Sequence, residues 1–193
     1  MKKLMTKEES ERKSKRNQWI VGGVLMFIML LSTAGYAINY ESNTTKSDVI
    51  TYKGTKFVKS DSYWYFNKES VDLVSRYNPK ETENITFSIN LKLSDYKGKP
   101  LYFVGGFQEA NDELKRNLNT FALRMQDACL DTENCTSNLP AKKCSDDNVI
   151  IIKEPVNNET ERVYGEGKCI FIIANLQDQS RYADAVLYKI FNI

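Results

Sequence analysis

The longest apolar stretch of this chain is WIVGGVLMFIMLLSTAGYAI, Trp19 to Ile38, 20 residues without a charge. As a helix rising 1.5 Å per residue it would measure about 30 Å, the thickness of a bilayer's hydrocarbon core. A helix apolar on every face suits lipid better than the core of a small domain, so the pattern predicts a transmembrane helix over 19–38. The following residues, NYESNTTKSDV (39–49), are polar and lack apolar periodicity, which predicts a short stalk.

From about Ile50 the pattern changes to short aromatic and β-branched runs broken by Gly, Pro and Asn. It predicts strands over TKFVKS (55–60), SYWYF (62–66), VDLVSRY (71–77), ITFSINLKL (85–93) and LYFVG (101–105). In the fourth, Ile85, Phe87, Ile89, Leu91 and Leu93 alternate with polar residues on the period of a half-buried strand. SDYKGKP then predicts a turn joining it to the next strand as a hairpin.

Leu114, Leu118, Phe121 and Met125 form one stripe at helical spacing, predicting a helix over Asn111–Ala128. Asn111 would cap it, with Asp112 and Glu113 in the first turn, where the helix dipole favours negative charge. NVIIIK (148–153) and KCIFIIANL (168–176) predict two more strands, with EPVNNETERVYGEG as the turn region between them. A last helix, about Ser180 to Phe191, would bury Tyr182, Val186 and Ile190. Together these elements predict one α+β domain over 50–193, a mainly antiparallel sheet with both helices on one face. The two halves loosely repeat a hairpin-plus-helix unit.

Charge orients the chain. Residues 1–18 hold seven Lys or Arg (Lys2, Lys3, Lys7, Arg12, Lys13, Lys15 and Arg16) against three Glu, a net of +4, whereas residues 39–193 sum to −2. By the positive-inside rule, 1–18 is a cytoplasmic tail and the C-terminal domain lies outside the cytoplasmic or plasma membrane. Trp19 and Tyr36 fall near the ends of the span, where amphipathic rings favour the headgroup zone. The alternative is a secretory signal cleaved after the small residues of GYA (35–37), which would release a soluble domain. The polar region before the run and the run itself are both long for a signal peptide. The exported domain is slightly acidic with no basic stripe, which argues against a nucleic-acid partner.

Export decides how the cysteines read. Four in an oxidising compartment predict two disulfides among Cys129, Cys135, Cys144 and Cys169. Three connectivities exist. The reading favours Cys129 with Cys135, closing a small loop, and Cys144 with Cys169, tying that region to a later strand, although spacing alone does not decide it. Zinc sites use paired C-x2-4-C spacings, which are missing here, and a nucleophilic cysteine would want a histidine, of which the chain has none. No metal, cofactor or catalytic residue is therefore assigned.

Three other features bear on chemistry. Tyr63, Trp64 and Tyr65 are a candidate ligand face for stacking sugars, but side chains alternate along a strand, so only half of SYWYF can share an exposed face. Gly105 and Gly106 stand where backbone amides could cradle a phosphate, but no Lys-Ser/Thr follows, and a plain tight turn is the simpler reading. Acidic residues at Asp112 and Glu113, at Asp146 and Asp147, and at Glu159, Glu161 and Glu166 could supply a carboxylate pair for a hydrolase. Solvation explains them more simply. Calcium near Asp131, Glu133, Asp146 and Asp147 lacks the glycine and spacing of an EF-hand. Sequons for N-glycosylation occur at Asn43, Asn84, Asn134 and Asn158.

The plan MKKLMTKEESERKSKRNQWIVGGVLMFIMLLSTAGYA, with Leu139 to Cys144 and the ending ADAVLYKIFNI, resembles single-pass envelope proteins of archaea. The resemblance implies location and no activity. A type IV pilin-like subunit also has a basic leader, one apolar helix and a globular head, but this chain lacks a clear leader-peptidase site just before the helix. The expected function is a non-enzymatic, membrane-anchored external domain that binds a protein or surface glycan or scaffolds an envelope complex. The alternative is a carboxylate-dependent envelope hydrolase.

Overall fold

The computed structural model describes residues 7–42, 48–135, 138–157 and 159–193, and side chains of the first segment at 12, 13 and 15–32. Residues 1–47 and 48–193 form two separate compact units.

The first unit holds one helix, α1 (Lys7–Ser42). It takes in the whole uncharged run and the first four residues of the expected stalk; residues 43–47, including the sequon at Asn43, lie outside the described residues. Among the described residues, no helix is long and apolar enough to cross a membrane. The described side chains of the run span 14 residues, Trp19 to Ser32, and helical geometry gives that part about 21 Å.

The second unit is α+β. Strands β1 (Val49–Tyr52), β2 (Thr55–Ser60), β3 (Tyr63–Lys68) and β4 (Val71–Ser75) form an antiparallel meander in chain order. Tight turns join them, with left-handed residues at Lys53 and Gly54, at Asp61, and at Glu69 and Ser70. Alternation within β3 sends Trp64 and Phe66 inward, beside Phe57 and Leu73.

The remaining elements are β5 (Pro100–Gly105), α2 (Gln108–Leu118), β6 (Arg124–Asp127), β7 (Cys129–Leu130), β8 (Ala141–Lys142), β9 (Asn148–Lys153), β10 (Arg162–Glu166), β11 (Cys169–Ile173) and α3 (Gln179–Ile190). Five of these strands make a second sheet in the order β10-β11-β9-β5-β6. Its β11–β9, β9–β5 and β5–β6 pairs are parallel, and only β10–β11 is antiparallel. The expected mainly antiparallel arrangement thus holds for the four-stranded sheet and fails for this one. Its physical signature is burial on both faces, which replaces alternation by continuous apolar runs. Leu101, Phe103, Ile150, Ile152, Ile170 and Ile172 face the main core with α2, α3 and the inner side of the meander. Tyr102, Val104, Val149, Ile151 and Cys169 face a smaller core under Ala128 and Leu130. Both α2 and α3 cover the same face, as expected, and lie between the two sheets.

Other boundaries depart from expectation. Residues 85–93 form no strand: Phe87 makes one isolated parallel bridge to Val163, and a 3-10 turn closes the stretch at Leu93–Asp95. The segment pairs with β10 only at that bridge, the Ser88 amide donating to Val163 O at 3.2 Å, and Ile89 covers Gly165, where an added Cβ would lie 2.0 Å from Ile89 Cδ1. The expected hairpin with β5 is therefore absent, and with it the repeated hairpin-plus-helix unit. Helix α2 starts earlier and stops at Leu118; Phe107 occupies the N-cap position and Asn111 lies inside the helix.

Candidate functional site

The cysteine region covers the outer face of the five-stranded sheet. Cys129 pairs with Cys135 (Cα–Cα 5.7 Å) and Cys144 with Cys169 (5.0 Å), the pairing favoured from the sequence. The second bridge ties the residues after β8 to the first residue of β11 across a separation of 25. Loop-closure entropy gives such a bridge about 3.5 kcal/mol, against about 2 for the six-residue separation of the first.

Among the described residues, no group of three or more His, Cys, Asp or Glu is placed to hold a metal ion. The acids once considered for calcium are engaged separately: Asp131 with Lys143 (3.9 Å), Glu133 with Lys153, and Asp147 with Lys142 (3.2 Å), while Asp146 accepts from Ser145 Oγ at 3.0 Å. Glu159 pairs with Arg162 at 2.6 Å, and Glu161 accepts from the Asn175 amide at 2.7 Å. The sequon residues Asn84 and Asn134 are exposed. Asn158 and Thr136, the third residue of the Asn134 sequon, lie outside the described residues.

The aromatic face divides as strand geometry requires. Trp64 is 5% exposed and belongs to the core, so it is unavailable for stacking a sugar. Tyr63 and Tyr65 share the outer side. The Tyr63 ring lies between the guanidinium groups of Arg76 (5.9 Å) and Arg116 (5.2 Å), which occupy its π-face. Tyr65, 49% exposed, stands in a cross-strand row Val49–Val58–Tyr65–Val74 set by the register of the meander. What remains of the proposed ligand face is that row.

The glycine pair is a packing device. Gly105 (φ +67°) and Gly106 (φ +84°) turn β5 into α2 against β9, and added Cβ atoms would lie 2.6 Å from Ile152 O and 2.8 Å from Ile152 Cβ. The crevice beside them, at the carboxyl ends of parallel strands where α/β proteins often hold ligands, is filled by side chains. Gln179 accepts from the Phe107 amide (2.7 Å) and donates to Ala174 O (3.3 Å); Asn111 donates to Gly105 O (2.8 Å).

The strongest electrostatic perturbation lies between the helices. Glu113 of α2 and Asp184 of α3 are 3% and 0% exposed. Asp184 Oδ2 accepts from the backbone amides of Arg76 (3.0 Å) and Tyr77 (2.9 Å), and Glu113 Oε2 faces Arg116 at 3.2 Å. Among the described residues neither Glu113 Oε1 nor Asp184 Oδ1 meets a donor, and the two carboxyl groups lie close enough to perturb each other's protonation. Two carboxylates are acceptors only, so one must carry a proton. Burial, then the neighbouring Glu113 charge, pushes Asp184 well above the usual carboxylate range, against the pull of the two amides. Burial raises Glu113 as well, against the charges of Arg116 and Arg76. The shared proton therefore belongs on Asp184, with Glu113 ionised beside its arginine.

Neighbouring bonds extend this pair into a clamp on the end of β4. Asn117 donates to Val74 O (2.7 Å) and accepts from the Val74 amide (2.9 Å). Tyr188 OH donates to Tyr77 O and accepts from Ser75 Oγ at 2.5 Å. The sequence reading paired Glu113 with its neighbour Asp112, which is exposed and accepts from Gln108 instead (2.9 Å). It does not single out Asp184, although an acid set between Ala183 and Ala185 in the stretch YADAVLY signals a buried carboxyl.

Compared with known proteins, the chain matches no family, no curated protein and no solved structure.

Proposed function

We propose that this chain is a single-pass membrane protein whose disulfide-stabilised α+β domain lies outside the cytoplasm and binds a protein or surface glycan without catalysing a reaction. The observation that carries the reading is the 20-residue uncharged run inside one continuous helix, flanked on its N-terminal side by a net charge of +4. Its described side chains from Trp19 to Ser32 are exposed, and apolar surface of that extent favours a lipid environment. Two cysteine pairs at bonding distance favour an oxidising compartment.

The hydrolase alternative needs a carboxyl pair that substrate can reach. The pair with raised affinity for protons is Glu113 and Asp184, and its burial denies access to both oxygens that would act. Of the acids that meet solvent, Asp127, Asp131, Glu133, Asp147 and Glu159 are each engaged by a single cation, which favours binding over catalysis.

Alkaline carbonate washing of membranes from cells producing the full chain tests the reading. The chain should stay with the bilayer, and deletion of residues 19–38 should move it to the supernatant. Release of the intact chain, or a mature N-terminus at Ile38, would contradict the anchor.

A further inference from the structure

An open cleft of about 560 Å³ lies between Asn90–Lys97 and the end of α3. Its floor is apolar, with Leu91, Ile190 and Phe191 each no more than 4% exposed. Its walls carry Lys92, Lys97 and Lys189 against a single acid, Glu69. Eight of the domain's other basic side chains, Arg76, Lys115, Arg116, Lys142, Lys143, Lys153, Arg162 and Arg181, each face a carboxylate. Among the described residues, none of the three cleft lysines does. In a domain that is slightly acidic overall, three unpaired ammonium groups around one concavity concentrate positive potential there.

A second cleft, of about 360 Å³, shares Asn90 and Leu91 with the first and adds Lys99 and Lys168 against one acid, Asp95. Cations thus outnumber acids in its lining as well. Asn90, Ser94 and Asn192 put amide and hydroxyl groups between the charges. Spaced cations, interleaved hydrogen-bonding groups and an apolar floor are complementary to a chain of sugar rings carrying anionic groups.

We propose that these neighbouring clefts bind an anionic polysaccharide, with Lys92, Lys97 and Lys189 contacting its carboxylate or phosphate groups. The proposal rests on the reading of the domain as a binding module and specifies its ligand. It does not depend on which side of a membrane the domain lies.

The test is binding of defined oligogalacturonates to the detergent-solubilised full chain, followed by calorimetry and by amide shifts in the NMR spectrum. Uncharged malto-oligosaccharides of equal length and glycerophosphoinositol, a soluble lipid headgroup, serve as comparisons. Binding should weaken with salt, shift the amides of Asn90–Lys97 and Lys189–Asn192, and fall at least about tenfold in Lys92→Gln/Lys97→Gln/Lys189→Gln. A control variant, Lys53→Gln/Lys56→Gln, removes charge from the β1–β2 hairpin and should bind as the parent does. Equal affinity for the uncharged sugar, tighter binding of the headgroup, equal loss in the control, or no binding would each overturn the proposal. None of these would touch the anchor, which the carbonate wash tests separately.

Discussion

Replacing Asp184 separates the roles of its proton and its charge. Asp184→Asn keeps an oxygen for the Arg76 and Tyr77 amides and places an NH2 group where the shared proton lies, donating to Glu113. It copies the protonated acid, so at neutral pH its stability should be within about 1 kcal/mol of the parent's or above it. Asp184→Ala leaves two backbone amides without their acceptor and Glu113 without its donor. At about 1 to 3 kcal/mol for each unpaired buried group, the loss should reach roughly 3 to 5 kcal/mol.

The pH dependence fixes the mechanism. A carboxyl whose pKa rises on folding adds stability that is full below the unfolded value, near 3.8 for Asp, and is lost as pH climbs through the folded value. One proton corresponds to about 1.4 kcal/mol per pH unit. Urea unfolding of parent and Asp184→Asn at matched pH should therefore give a stability difference, parent minus variant, that falls with rising pH above about 4. Carboxylates remote from the pair contribute equally to both proteins and cancel, so the difference reports on Asp184 together with Glu113. Parallel curves would refute the shared proton, as would an Asn variant as unstable as the Ala variant.

The other expectations are simpler. Cys144→Ser/Cys169→Ser should lose about 3.5 kcal/mol in denaturant unfolding and Cys129→Ser/Cys135→Ser about 2; the reverse order would contradict the loop argument. Gly106→Ala, forced into a left-handed conformation 2.8 Å from Ile152 Cβ, should cost at least ~2 kcal/mol by thermal unfolding. Asn117→Ala should cost about 2 to 4 kcal/mol by freeing the Val74 amide and carbonyl, and should raise hydrogen exchange at Val74 above that of β2. Trp64→Ala should cost about 3 to 5 kcal/mol and Tyr65→Ala under about 1, the split expected of one strand's two faces.

Much of the fold is legible wherever a local pattern decides it. TKFVKS and NVIIIK coincide with β2 and β9, and α3 lies within one residue of its expected ends, because each is a clear apolar pattern with turn residues around it. Both edges of the five-stranded sheet escape detection for one reason. Arg124–Asp127 has no buried side chain and Arg162–Glu166 has only Val163, so neither carries an apolar signature. The stretch 85–93 errs in the opposite direction. Its alternation reflects an extended segment that meets β10 at a single bridge, and alternation does not distinguish one bridge from a continuous ladder.

Sheet direction was readable and misread: LYFV, VIII and CIFII are continuous runs, the mark of strands buried on both faces and typical of parallel pairing. The sites are less legible because they depend on long-range contact. Glu113 and Asp184 stand 71 residues apart, and only the packing of α2 on α3 makes them share a proton. Lys92, Lys97 and Lys189 likewise converge only in the folded chain. The disulfide pairing observed is the one the sequence favours, but spacing alone leaves three connectivities open and the fold selects among them.

Protease added to intact cells making the full chain with a C-terminal epitope tests most directly whether the domain is anchored outside. The account predicts that the epitope is digested while a cytoplasmic marker survives, and that an N-terminal fragment containing the uncharged helix remains with the membrane. An epitope that stays protected until the cells are lysed would contradict it.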